Sequence, residues 1–334
     1  MGRGTAKFLL WAALLFLAAG ITVSGQMVLY DNGPLVNSPG TGAGGADESV
    51  LQTSSLMMNT YGFGHQYALV YRMADDFTVA SAAGWDVQTI DFYAYQTGST
   101  TTSPITGVYL QIWNGPPDNP GSSVVWGDLT TNRLSATTFS NIYRVTETAS
   151  GNTQRPIMMD TVTVGTILPP GTYWLDWMTD GSASYSGPWA PPVTIAGQTV
   201  TGNALQYTSS WAAALDSGTS TQQGMPFVIK GSLGYNTNFL DEYGRSQACL
   251  NRTTGAFIWN ILTGPSAGYS VTGTAMARNG GTLFYVSTPA FYFYCSYDPI
   301  RKRASGYFYD YGCHLYSSLY DANTTDNPPG CSPP

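Results

Sequence analysis

The sequence predicts an all-β chain: a jelly-roll-like β-sandwich followed by a smaller antiparallel β domain. Three observations carry this. Short alternating runs recur roughly every 8–12 residues, with Gly and Pro turns between them. No window sustains a 3.6-residue period, so helices should be few. Charged residues are only 10% of the 334 residues, against an average near 25%. Hydroxyl, amide and backbone groups must therefore carry solubility.

The elements follow in chain order. Arg3 and Lys7 precede an apolar run over 8–19, and Val23-Ser24-Gly25 closes it with small residues. This is the three-part pattern of a secretory signal peptide over 1–25, cleaved after Gly25 or, as second choice, after Gly20. The competing reading is an uncleaved anchor. A spanning helix needs about 20 apolar residues, and Gly20, Thr22 and Ser24 interrupt the run. No later segment is long and apolar enough to span a bilayer, so no membrane span is expected after cleavage.

Residues 26–66 read as one strand, 27–30, stopped by Asp31-Asn32-Gly33-Pro34, and a Gly-rich flexible loop over 37–45. The sandwich is expected over 67–232. Its strands are 87–95, 108–113, 123–126, 142–146, 157–164, 172–177 and 227–230. In the first, Gln88, Ile90, Phe92 and Ala94 alternate with Val87, Thr89, Asp91, Tyr93 and Tyr95. Pro169-Pro170-Gly171 is a turn, since Pro presets φ and Gly supplies positive φ.

A Cys-containing, aromatic-rich antiparallel domain is expected over 233–334. Acids outnumber bases before this point and balance them after it, and all four cysteines lie beyond it. Strands are read at 256–261, 270–277, 282–286, 291–297 and 304–309. Asn279-Gly280-Gly281 is a hairpin turn, because a type I′ turn needs positive φ at both central positions. The basic tip Arg301-Lys302-Arg303 closes a longer hairpin as a solvated loop. Tyr292, Tyr294, Tyr307 and Tyr309 should form cross-strand ring pairs, each worth about 0.2–1 kcal/mol.

Composition excludes some functions. A net charge of −7 with 13 Lys and Arg is a poor match for nucleic acid, whose binding rests on phosphate neutralisation. Four cysteines in an exported chain favour disulfides. The pairing expected is Cys313–Cys331, which would tie down a tail poor in core residues, with Cys249–Cys295 in the core. No CxxC spacing occurs, and there are two histidines, so a zinc-type site has few ligands.

Three segments carry a resemblance. They are Arg72-Met73-Ala74-Asp75-Asp76-Phe77-Thr78-Val79, then 85–95, then Thr166-Ile167-Leu168-Pro169-Pro170-Gly171-Thr172-Tyr173-Trp174-Leu175. The "ADDF" opening and "LPPGTYWL" strand resemble exported bacterial proteins of uncharacterised function built on a jelly-roll-like domain. The resemblance covers about half the chain. It implies a β-sandwich and export, and it implies no activity.

Candidate chemistry is sparse. Residues 40–45 match GxGxxG, but no helix follows to receive a pyrophosphate. Residues 264–268 match GxSxG, yet they sit between β-rich runs where the nucleophile elbow needs a strand and a helix. Asp91 and Asp176 lie inside strands and would have to face each other to flank a sugar as glycosidase carboxylates do. Asp75-Asp76, with loop carbonyls, offer oxygen ligands for a structural Ca2+; otherwise they are ordinary adjacent acids. Trp113, Trp126, Trp189 and Trp211 are the candidate stacking rings. Trp113 and Trp189 lead because both adjoin Pro-rich loops, where a ring can present a flat apolar face.

These features describe an exported, non-enzymatic structural or adhesive protein, extracellular, on the cell surface or in the periplasm. Its partners would be extracellular glycans or other surface proteins. The alternatives are a carbohydrate-binding module and a secreted hydrolase with an unrecognised site. N-terminal sequencing of the mature protein should start at Gln26, or at Ile21. Intact Met1 recovered from a membrane fraction would overturn the cleavage.

Overall fold

The computed structural model describes residues 26–81, 83–234, 237–240, 245–251, 255–278, 283–298, 301, 303–312 and 314–325. The expected signal peptide, the Asn279-Gly280-Gly281 turn, Lys302, Cys313 and Cys331 lie outside these residues. Among the described residues the only helical turns are 3-10, at Ala43–Gly45 and Tyr67–Leu69. No described helix is long and apolar enough to cross a membrane.

The strands, in chain order, begin with β1 (Met27–Asp31), β2 (Asp47–Leu51), β3 (Phe63–Gly64), β4 (Arg72–Val79), β5 (Trp85–Thr97), β6 (Ile105–Trp113) and β7 (Val124–Asp128). Next come β8 (Leu134–Thr146), β9 (Pro156–Leu168), β10 (Gly171–Gly181), β11 (Ser186–Ala190), β12 (Leu205–Tyr207), β13 (Trp211–Ala213) and β14 (Phe227–Leu233). The rest are β15 (Thr237–Leu240), β16 (Ser246–Leu250), β17 (Ala256–Ile261), β18 (Ser270–Thr274), β19 (Met276–Arg278), β20 (Leu283–Ser287), β21 (Phe291–Asp298), β22 (Arg303–Asp310) and β23 (Leu315–Thr325).

Two sheets form an all-β sandwich. One is eight-stranded, in the order β1-β14-β5-β9-β8-β2, with β11 and β3 added beside β5. The other is six-stranded, in the order β13-β12-β4-β10-β6-β7. The chain crosses between them repeatedly, from β4 to β5, β5 to β6, β7 to β8 and β9 to β10. Alternation decides which side chains meet inside. Phe77, Leu110, Leu175 and Trp177 come from one sheet, and Ile90, Phe92, Val162 and Phe227 from the other. Phe227 lies within 6.4 Å, centroid to centroid, of Tyr30, Phe77, Phe92 and Trp177.

Residues 26–66 are more than one strand and a loop, because β1, β2 and β3 all join the eight-stranded sheet. β2 pairs parallel to β8 and was hidden by its polar sequence, Asp-Glu-Ser. Its buried acid is satisfied: Glu48 accepts from Thr41 Oγ1 at 2.7 Å and, from far along the chain, from Ser150 Oγ at 2.8 Å and the Gly151 N–H at 2.6 Å. Arg144 of β8 clamps this segment down. Its buried guanidinium donates to Ser49 Oγ, Thr194 Oγ1 and the Tyr61 carbonyl at 2.9–3.0 Å.

The third sheet runs β18-β17-β16-β15-β23-β22-β21-β20-β19 and is antiparallel at each pairing. It curls. Phe257 of β17 and Phe293 of β21 are five strand steps apart, roughly 24 Å in a flat sheet at about 4.8 Å per step. Their rings nevertheless stack at 4.0 Å. Buried Asn251 joins this sheet to the sandwich, donating through Nδ2 to the carbonyls of Ala83 and Gly234 at 2.7 and 2.6 Å.

The expected Cys249–Cys295 bridge is not formed. Cys295 faces the core with Phe293 as a buried free thiol, and burial pushes it up to about 12. Cys249 is disulfide-bonded. Ala248 and Leu250 of β16 face the core that holds Cys295, so strand alternation turns Cys249, between them, to the other side. Alkylation of the denatured, unreduced chain should recover Cys295 as a modified thiol and Cys249 in a cross-linked peptide. A Cys249–Cys295 cross-link would contradict the structure.

Candidate functional site

The candidate site is the outer face of the six-stranded sheet. Leu175 and Trp177 take the core side of β10, so Trp174 and Asp176 must face away. On β4 the same alternation sends Met73 and Phe77 inward and Arg72, Ala74 and Asp76 outward. The register then builds rows across strands. Asp76, Trp174 and Trp113 form one row. Ala213, Leu205, Ala74, Asp176 and Gln111 form the next. Trp211, Tyr207 and Arg72 align beyond it.

A polar centre sits inside these rings. Asp176 is fully buried although it faces outward. Its Oδ2 accepts from Arg72 Nη1 at 2.7 Å, Gln111 Nε2 at 2.7 Å and Trp113 Nε1 at 3.2 Å. Burial pushes the carboxyl up to about 6, and the neighbouring Arg72 charge and these donors partly oppose that. The Arg72 guanidinium lies 4.3 Å from the Tyr207 ring centre and 4.8 Å from that of Trp211, within reach of cation–π attraction. Tyr67 stacks on Tyr109 at 4.1 Å and walls one end of the face.

The expected site residues separate. Trp113 is half-buried on this face, packed with Trp174 and Trp211. Trp189 lies on β11 of the other sheet, half-buried against Tyr95 and Leu35. The two rings therefore belong to different surfaces. Trp126 faces the core edge beneath the Arg133 guanidinium, 4.3 Å away.

Asp75 and Asp76 are adjacent on a strand, so they point to opposite sides of the sheet. Asp75 is buried inside. Its Oδ2 accepts from Asn32 Nδ2 at 2.8 Å and from the Met225 N–H at 2.7 Å, and its Oδ1 from the Asp76 N–H at 2.9 Å. Burial pushes it up to about 7. Its oxygens tie two chain segments to β4, and the pair does not converge on one point. Among the described residues no three His, Cys, Asp or Glu side chains are grouped to hold a metal.

Asp91 and Asp176 do not face each other either. Each flanks inward neighbours, Ile90 and Phe92 in one case, Leu175 and Trp177 in the other, so they lie on opposite outer surfaces. Asp91 is instead paired with Lys230 Nζ at 2.5 Å and accepts from Thr161 Oγ1 at 2.7 Å. Ser266 of the GxSxG stretch lies in the loop between β17 and β18, with no helix after it.

Sequence reasoning missed Arg72, Gln111, Tyr207 and the coupling of Trp113 to Asp176. Strand alternation from Trp174 could have put Asp176 outward. Only register could bring Gln111 and Trp113 to it.

No family model, characterised protein or solved structure matches this chain.

The raised Asp176 has a consequence for stability. The native carboxyl keeps its proton to about pH 6, whereas an exposed one releases it near 3.8. The native state therefore binds more protons in this window, and stability falls as pH rises from about 4 to 6. Below that window both states are protonated and the contribution is complete. Asp176→Asn should flatten this part of the curve of denaturation midpoint against pH. An unchanged slope would reject the assignment.

Proposed function

We propose that this chain is an exported adhesive protein that works by binding, with the outer face of the six-stranded sheet as a glycan-stacking surface. The observation that carries the reading is the ring set Trp113, Trp174, Tyr207 and Trp211 gathered around a buried ionic centre. Sugar rings present C–H faces that pack on aromatic planes, while their hydroxyls need polar partners at the rim. Half-exposed Asp76, in the row of Trp174 and Trp113, is such a partner. The Asp176 hydrogen bond and the Arg72 stacking hold the rings in place before a ligand arrives. Rigid rings lose little entropy on binding.

Export is supported by the leader-like N-terminus. The "ADDF" and "LPPGTYWL" segments support kinship with exported bacterial proteins, extracellular, surface-held or periplasmic. The first lies within β4 and the second runs into the start of β10, the neighbouring strands that carry this site.

Pull-down on insoluble polysaccharides tests the reading. Trp211→Ala should weaken retention by about tenfold, roughly 1.4 kcal/mol, and should leave the fold intact. Trp174→Ala should instead destabilise by about 3–5 kcal/mol, as buried aromatic truncations do. If the wild type binds no polysaccharide, or Trp211→Ala is retained as well as wild type, the glycan reading fails.

A further inference from the structure

The tryptophan-lined face belongs to an acidic part of the chain. Residues 26–232 hold fourteen acids and five bases, and each of those bases is already engaged. Arg72 pairs with Asp176, Arg133 with Asp128 and Lys230 with Asp91. Arg144 is buried among hydroxyl and carbonyl partners. The Arg155 guanidinium lies over the Tyr61 ring, 4.0 Å from its centre. The sandwich therefore has acids in excess and no spare cation to receive an anion. The third sheet also turns rings outward, with Tyr285, Tyr294 and Tyr307 in one row and Tyr292, Tyr309 and Tyr316 in another. Acids and bases balance after residue 232, so charge singles out no ligand there.

Three of the acids lie on the tryptophan-lined face. Asp76 shares a row with Trp174 and Trp113. It is half-exposed, and no described group hydrogen-bonds or ion-pairs with its carboxylate. The next pair along the same face is Thr78 and Thr172, both exposed, with hydroxyls 3.0 Å apart. Asp180 is the second acid. Alternation along β10 turns Trp174, Asp176, Met178 and Asp180 to one side, so Asp180 lies about 20 Å from Trp174 at roughly 3.3 Å per residue. Met178 faces Tyr109 across the sheet, and Tyr67 stacks on Tyr109. Half-exposed Asp180 thus flanks the tyrosine pair as Asp76 flanks the tryptophans. Asp176, between the two, is buried, and its Oδ1 has no donor among the described residues. Arg72, the base on this face, is neutralised by Asp176.

We propose that the ligand of this face is a cationic amino-sugar polymer, a glucosamine chain with free ammonium groups, laid along β10 from Asp76 to Asp180. This rests on the glycan-stacking reading and names the class of sugar. Glucosamine carries its nitrogen one bond from the ring, so a sugar stacked on Trp113 or Trp174 can present an ammonium to Asp76. That contact is a charge-assisted hydrogen bond, about twice as strong as a neutral one. An ammonium beside tryptophan and tyrosine rings also gains cation–π attraction. Thr78 and Thr172 can take the hydroxyls of the same sugar. A net charge of −7 draws a polycation from a distance and repels an anionic glycan. Repeated charges along a polymer suit acids at both ends of a row of rings, where a single cation would meet one of them.

The test titrates the mature full chain by calorimetry with a glucosamine oligomer and with its fully N-acetylated counterpart, which has the same rings and no charge. The free amine should bind at least about fivefold more tightly at low salt, and this preference should shrink as salt rises. Asp76→Asn and Asp180→Asn keep the side-chain shape and remove the charge; each should lower the preference, and the double variant should abolish it. Asp86→Asn should retain it, because Asp86 lies between the core residues Trp85 and Val87 of β5 and faces out from the other sheet. Trp211→Ala should weaken both oligomers alike, since it removes a ring and no charge. Near-ultraviolet circular dichroism checks the fold of each variant. Equal binding of the two oligomers, or a preference that survives the double variant, overturns the cationic assignment and leaves the stacking surface standing. An oligolysine of equal charge that binds as tightly as the glucosamine oligomer also overturns it, and makes this a surface for basic peptides. Binding of neither sugar removes the inference, and the stacking reading then stands or falls with the polysaccharide pull-down.

Discussion

The period of two on β4 and β10 is the constraint on which the rest depends. Leu175, Trp177, Met73 and Phe77 are buried in the core between the two sheets, where close packing fixes which side of each strand faces in. Their neighbours are then committed to the opposite side, whatever they are. Trp174, Asp176, Arg72 and Asp76 are on the outer face for this reason alone. A one-residue slip would bury Asp76 and Arg72 and expose the central aromatic cluster.

Outward placement of an acid between strands has a cost that the surroundings offset. Asp176 is covered by its own neighbours, so it loses water without entering the core. Three donors, one of them the Arg72 cation, replace that water. The net effect still leaves the carboxyl higher than an exposed one, so burial outweighs the partners. That balance orients the Trp113 ring through its indole N–H and holds Arg72 against Tyr207 and Trp211. Buried Arg144 follows the same logic on the other sheet, with hydroxyl and carbonyl partners in place of an acid.

The two aromatic surfaces arise in different ways. The tryptophan-lined face gathers residues from β4, β6, β10, β12 and β13, far apart in the chain, and mixes rings with ionic groups. The tyrosine face comes from consecutive strands in hairpin order, so its ladder follows from local pairing. Curling of the third sheet buries Phe257, Phe293 and Phe308 on one side and leaves the tyrosines on the other. A chain with few charges can present such surfaces because its strand pairing uses backbone groups that water would otherwise claim.

The all-β class, most sandwich strands and the tyrosine ladder were legible in the sequence, because alternation and turn residues are local. The ladder was read from Tyr292, Tyr294, Tyr307 and Tyr309, and the register joined Tyr285 and Tyr316 to it. Polar β2 escaped because Glu48 is satisfied by residues about a hundred positions away, Ser150 and Gly151. The free thiol of Cys295, the separation of Trp113 from Trp189 and the opposite outlooks of Asp91 and Asp176 were decided by tertiary structure. Each depends on which strands neighbour one another and which sheet they join. Strand order is set by long-range packing of inner faces, and a period of two says which side a residue takes but not what lies across from it.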